Sequence, residues 1–174
     1  MKRTALTLII SITIYAQAFC QKGVISIGVG PSLGFPVANS NFSYYYKNGV
    51  GGSLQANFGV SKLGSITTNI TYLSIGAKNL PVTGVGSLKF VKVGYRTSFL
   101  NSKFFAGADA GIAPYGSGNS YFVIGGSVGY SFKISKKSYI DFFPTYSKIF
   151  RTPGNARWLT VNVLYRLNSK KKSK

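Results

Sequence analysis

From about residue 23 onward, apolar residues alternate with small or polar ones in some eight segments of roughly ten residues, set apart by turn residues. In Val24-Ile25-Ser26-Ile27-Gly28-Val29-Gly30-Pro31-Ser32-Leu33-Gly34-Phe35, the residues Ile25, Ile27, Val29, Leu33 and Phe35 share one parity. Ser26, Gly28, Gly30, Ser32 and Gly34 share the other. Successive side chains of a strand point to opposite faces, so one face is greasy and the other small and polar. Lipid on one side and a polar lumen on the other would select that pattern. The spacing predicts strands at about 23–36, 49–60, 65–76, 84–98, 103–115, 120–133, 138–150 and 157–167.

The connections alternate in character. Ser61 to Gly64, Phe99 to Ser102 and Ser135 to Ser138 are tight turns. Pro36 to Asn48, Ala77 to Thr83, Gly116 to Asn119 and Arg151 to Ala156 are longer and richer in Pro, Gly, Asn and Tyr. Short turns at one end and longer loops at the other predict a closed, antiparallel, eight-stranded transmembrane β-barrel with both termini on the periplasmic side. So few strands give a lumen filled by side chains and no wide channel, which leaves a porin-like passive pore as a weaker variant.

Position checks extend the alternation. Val50, Leu54, Ala56, Phe58 and Val60 oppose Ser53, Gln55 and Asn57 in the second strand. Leu159, Val161, Val163, Tyr165 and Leu167 oppose Thr160, Asn162 and Arg166 in the last. The fourth strand changes phase: Leu88 and Phe90 share one parity, then Val91, Val93 and Tyr95 the other. A bulge near Phe90-Val91 would reset it and keep Lys92 and Arg96 inward. Outward rings fall into two belts, Phe58, Tyr95, Phe104, Tyr130, Phe132 and Tyr165 near the turns, and Phe35, Tyr72, Phe122 and Tyr146 near the loops. Belts are expected where amphipathic rings meet headgroups.

Ahead of the strands, Lys2 and Arg3 precede an apolar run from Ala5 to about Tyr15, with small residues at Ala16 and Ala18. That is the layout of a secretory signal peptide, read as 1–20, with a cut after Cys20 preferred to one after Ala18. The barrel then covers 21–168, and 169–174 is a basic tail. Removal of Cys20, the only cysteine, would leave no thiol.

Composition narrows the chemistry. The chain has no histidine and no glutamate, and its two acids are Asp109 and Asp141. A Ser-His-Asp triad, a His-based metal site and a paired-Glu glycosidase centre are excluded. No phosphate-binding Gly-rich loop is present, and no cofactor is expected. With 21 basic residues the formal charge is +19. Such a charge calls for polyanions, and export points to lipid phosphates or lipopolysaccharide, not nucleic acid.

Three stretches carry a family resemblance. Ser87 to Tyr115 reads as a lipid-facing strand, a tight turn and a Gly/Ala-rich return. Tyr121 to Phe150 repeats that hairpin around Gly125-Gly126-Ser127-Val128-Gly129-Tyr130-Ser131-Phe132, and Trp158 to Leu167 resembles a terminal strand. The chain thus resembles the outer-membrane β-barrel domain family of small eight-stranded Gram-negative proteins. The resemblance implies the cell outer membrane as location and the barrel-assembly machinery as a partner. The family usually ends its last strand on an aromatic, where this chain has Leu167.

Asp109 and Asp141 fall on the inward face, with Lys92 and Arg96 on the strand beside Asp109 and Arg166 beside Asp141. A catalytic or proton-relay carboxylate is one reading. Salt bridges plugging the lumen are the reading adopted, because an isolated Asp without His or a second carboxylate has little chemistry. Lys62, Lys103, Lys136, Lys137, Lys170, Lys171 and Lys172 form a basic ring at the turn end, suited to anionic lipid surfaces. Lys47, Lys78, Arg151 and Arg157 near the loops could meet lipopolysaccharide phosphates, and Tyr44-Tyr45-Tyr46 could sit at headgroup level or form an adhesive patch. The favoured function is a non-catalytic structural or surface-interaction barrel. The alternatives are an exported barrel binding a hydrophobic ligand, which requires apolar inward residues, and a lipid-modifying enzyme.

Overall fold

The computed structural model describes residues 24–37, 46–61, 63–77, 85–99, 103–115, 119–151 and 155–169. Eight strands run in chain order: β1 (Ile25–Pro36), β2 (Tyr46–Gly59), β3 (Gly64–Ala77), β4 (Val85–Phe99), β5 (Phe104–Tyr115), β6 (Asn119–Lys133), β7 (Ser138–Phe150) and β8 (Ala156–Asn168). Every strand pairs antiparallel with its sequence neighbour, and β1 pairs with β8 to close the barrel. Closure leaves no sheet edge, as a wall surrounded by hydrocarbon requires. The leader predicted at 1–20, Lys62, Lys78, Tyr44, Tyr45, and Lys170, Lys171 and Lys172 lie outside the described residues.

The outer wall is apolar nearly throughout. Ile27, Val29, Val50, Leu54, Val93, Phe122, Val128 and Phe132 are all exposed, Val50 the most at 62%. Tyr95, Phe104, Phe132 and Tyr165 project outward toward the turn end, Tyr72, Phe122 and Tyr146 toward the loop end. A soluble barrel would place its charge on this surface and its greasy residues within.

β4 contains no bulge. Its register runs without a shift from Gly76↔Val85 to Gly64↔Thr97 on one side, and from Val91↔Ile112 to Phe99↔Phe104 on the other. Leu88, Phe90, Lys92 and Arg96 all face inward on one unbroken parity. The apparent phase change arises because two large apolar residues point into the lumen. A register shift does occur in β2, between Tyr46 and Gly49.

Two ladders skip a pair of residues while keeping their register, and each of these gaps contains a proline. β1 and β8 pair at Val29↔Tyr165 and next at Ser32↔Asn162, leaving out Gly30 and Pro31. β6 and β7 pair at Ser127↔Thr145 and next at Tyr130↔Phe142, leaving out Phe143 and Pro144 on β7. Proline has no N–H to give to a ladder.

Candidate functional site

Among the described residues, buried polar and charged side chains converge in the lumen, which is layered along the barrel axis. Its loop-end half is apolar. Leu73 and Ile75 of β3, Leu88 and Phe90 of β4, Ala113, Val123, Ile149, Ala156 and Trp158 form one buried cluster, with Tyr46 and Tyr121 packed against it. The expectation of a small, polar inward face therefore fails for this half, and Phe105, Phe143 and Leu164 form a second, smaller buried apolar cluster nearer the turns. Trp158 is 0% exposed. Its indole lies over Gly34, where an added Cβ would collide with the ring.

Below this plug lies a layer of hydroxyls and amides. Ser32 Oγ sits 2.7 Å from Ser53 Oγ, which sits 2.7 Å from Thr71 Oγ1. Thr71 donates to Asn69 Oδ1 at 2.8 Å. Asn162 accepts from Ser32 at 2.7 Å, while its Nδ2 donates to the Phe143 carbonyl at 3.3 Å. Strands β1, β2, β3, β7 and β8 are tied across the bore in this way. Burial makes each such bond costly to leave unmade.

The ionic groups come next. Lys92 Nζ lies 2.9 Å from Asp109 Oδ2. Asp109 stands opposite Gly125 of β6, and a Cβ there would meet Asp109 Oδ1, so only glycine leaves the carboxylate room. Asp141, 0% exposed, receives both arginines: Arg96 Nη1 at 2.9 Å and Arg166 Nε at 2.8 Å, each on Oδ2. Ser131 donates to Asp141 Oδ1 at 2.7 Å and accepts from Arg96 Nη2 at 3.1 Å. Arg166 Nη1 also donates to Asn168 at 2.8 Å. The Arg96 guanidinium lies 3.3 Å from the Phe105 ring centroid, and that of Arg166 lies 4.6 Å from Tyr139. Phe105 packs edge-on against Phe143.

All five residues singled out for the lumen meet there, though not all in the adjacency that strand order implied. Asp109 pairs in register with Gly94, between Lys92 and Arg96. Lys92 takes Asp109, and Arg96 reaches across the bore to Asp141 of β7. The sequence reading missed Ser131, which orders the Arg96–Asp141 contact, and the aromatic faces under both arginines. A serine in a Gly/Ser-rich strand carries no signal that sets it apart.

At the turn end the bore opens into a polar cleft of about 220 Å³, bordered by Asn57, Ser61, Ser98, Arg96, Tyr139 and Arg166. Lys103, Lys136 and Lys137 are exposed on the rim of that end. Near the loop end Lys47 and Arg157 are exposed and Arg151 is half-buried. Among the described residues no three His, Cys, Asp or Glu side chains gather as a metal site would need. The carboxylates are held by cations and, at Asp141, a hydroxyl, an arrangement that ties strands together.

No family model matches the chain, and no curated protein sequence matches it. Solved structures do. Neisserial surface protein A superposes with a TM-score of 0.61 at 12% identity, over 86% of this chain and 100% of that one. The outer membrane protein OprG from Pseudomonas aeruginosa gives 0.58 at 8% identity, over 87% and 98%. Ail, the attachment invasion locus protein of Yersinia pestis, gives 0.57 at 14% identity, over 84% and 100%. With eight strands closed into a barrel, the chain has the fold of the small eight-stranded outer-membrane barrels.

Proposed function

We propose that this protein is an integral outer-membrane barrel that works without catalysis, as a structural or surface-contact element whose bore is plugged by its own side chains. The observation that carries the reading is an inversion: an exposed apolar wall around a lumen that holds both acids of the chain, each ion-paired. Lipid is the solvent for which that distribution is stable. The absence of histidine and glutamate from the sequence argues against a lipid-modifying enzyme. Membrane partition with a heat-modifiable gel band, and no acyl transfer to or from lipid A in the purified protein, are the expected results. Release of the folded protein by alkali, or acyl transfer, would overturn the reading.

A second reading has one observation in its favour. The loop-end half of the lumen is lined with apolar side chains, as a barrel binding a hydrophobic ligand would need. Those residues pack against one another, each no more than 3% exposed, so a ligand would have to displace them. Titration with a long-chain fatty acid, read by Trp158 emission, separates the two: a saturable change supports the ligand reading, and a flat response supports the plug.

A further inference from the structure

We propose that Lys148 and Arg157, side by side on the outer wall, bind a phosphate monoester of a glycolipid in the leaflet around the loop end of the barrel. This rests on the outer-membrane reading above and adds a site and a ligand chemistry to it.

Lys148 of β7 and Arg157 of β8 are direct cross-strand partners. Both lie on the outward parity, between the buried pairs Ser147 and Ile149 on one strand and Ala156 and Trp158 on the other. Arg157 is held in place by the ladder as well: Val37 N–H donates to its carbonyl at 3.0 Å, extending the β1–β8 seam. Lys148 Nζ lies 4.8 Å from the centroid of the Phe150 ring.

Like charges directly opposite on neighbouring strands repel. The usual remedy, an acidic neighbour, does not exist here, because the chain's two acids are Asp109 and Asp141 and both are spent inside the lumen. An anion from outside is the remaining complement. The surroundings specify its depth. Tyr146, Phe150 and Phe122 are exposed around the pair, forming the ring belt expected at headgroup level. The charge specifies its type. A phosphate monoester carries close to two negative charges at neutral pH, matching two cations, whereas a phosphodiester carries one. Lys89 supplies an internal contrast. It projects outward from β4 over Tyr72, its Nζ 6.0 Å from the ring centroid, and its cross-strand partner is that tyrosine, not a second cation.

The test uses the folded protein in phosphatidylcholine nanodiscs doped with lipid A, with bound lipid counted by native mass spectrometry. Retention of lipid A by the wild type is expected, falling about tenfold in the Lys148→Gln, Arg157→Gln double variant. Lys89→Gln should retain it unchanged. Lipid A stripped of phosphate should not be retained. Equal retention by the double variant, or of the stripped lipid, would overturn the site. Phosphatidylglycerol held as well as lipid A would overturn the assignment to a monoester, and full competition by millimolar inorganic phosphate would overturn the lipid source. Each sample is also run unboiled on a gel. A wild type without a compact, heat-modifiable band sinks the membrane reading, whereas a compact band without lipid A preference sinks only the site. If the double variant lacks the band, Arg157→Gln alone carries the comparison.

Discussion

Arg96 of β4 donates through Nη1 to Asp141 Oδ2 of β7 at 2.9 Å, joining two strands that share no ladder. The contact braces the barrel across its bore. Arg166 completes the clamp from β8, the strand beside β7. Removing the carboxylate would strand two guanidiniums in the bore. We expect Asp141→Ala to cost about 3–5 kcal/mol, the range for breaking a buried ion pair by deleting one partner. Asp109→Ala should cost less, because it frees only Lys92, which keeps Ser147 Oγ at 3.4 Å. Unfolding temperatures of the compact, unboiled band would rank the two. Equal temperatures for Asp141→Ala and wild type would refute the brace.

The plug at the loop end should be at least as sensitive. Trp158→Ala removes the largest fully buried side chain, and truncations of this kind cost about 3–5 kcal/mol. Gly34→Val should destabilise as well, by pushing a side chain into the indole. Because Trp158 is the only tryptophan, its emission reports this layer alone. We expect a blue-shifted maximum in the folded barrel that moves to the red on unfolding. A red maximum in the folded protein would mean that the ring is wet.

The two proline gaps flank one hairpin. Pro31 interrupts the β8–β1 seam and Pro144 the β6–β7 seam, so β7 and β8 join the remainder of the wall through weakened ladders on both sides. Replacing either proline with alanine restores a backbone donor. A gain of about 0.5–1.5 kcal/mol per substitution is expected if the donor finds a ladder partner. Amide exchange at Val163 and Leu164 should slow in Pro31→Ala. Unchanged exchange there would show that the gap has another cause.

Val128 sits near the middle of β6 and is 60% exposed. In a lipid-facing wall, Val128→Arg should cost about 2–4 kcal/mol when folding is measured in bilayers. On a water-facing wall the same change would cost almost nothing. This substitution is the most direct measurement of which solvent surrounds the barrel.

Much of this architecture was legible in the sequence because a strand's side-chain period is two and the outer wall is apolar almost everywhere. The predicted strands at 138–150 and 120–133 differ from β7 and β6 by at most one residue. Leu88 and Phe90 were misread for the same reason. Alternation alone places apolar residues outward, so two inward ones mimic a phase break that needs a bulge. Their partners in the plug, Leu73, Ile75 and Trp158, come from other strands, and only the closed register brings them together. Arg166 beside Asp141 could be inferred because β7 and β8 are adjacent. The Arg96–Asp141 contact could not, because contacts across a bore depend on strand tilt and stagger, which alternation does not encode.

On the proposed reading, a cylinder stoppered with Trp158, Phe90 and Leu73 would keep the membrane's electrical insulation intact. Ions would meet packed hydrocarbon instead of a file of water. A cell could therefore carry many copies in its envelope without short-circuiting the ionic differences that the envelope maintains.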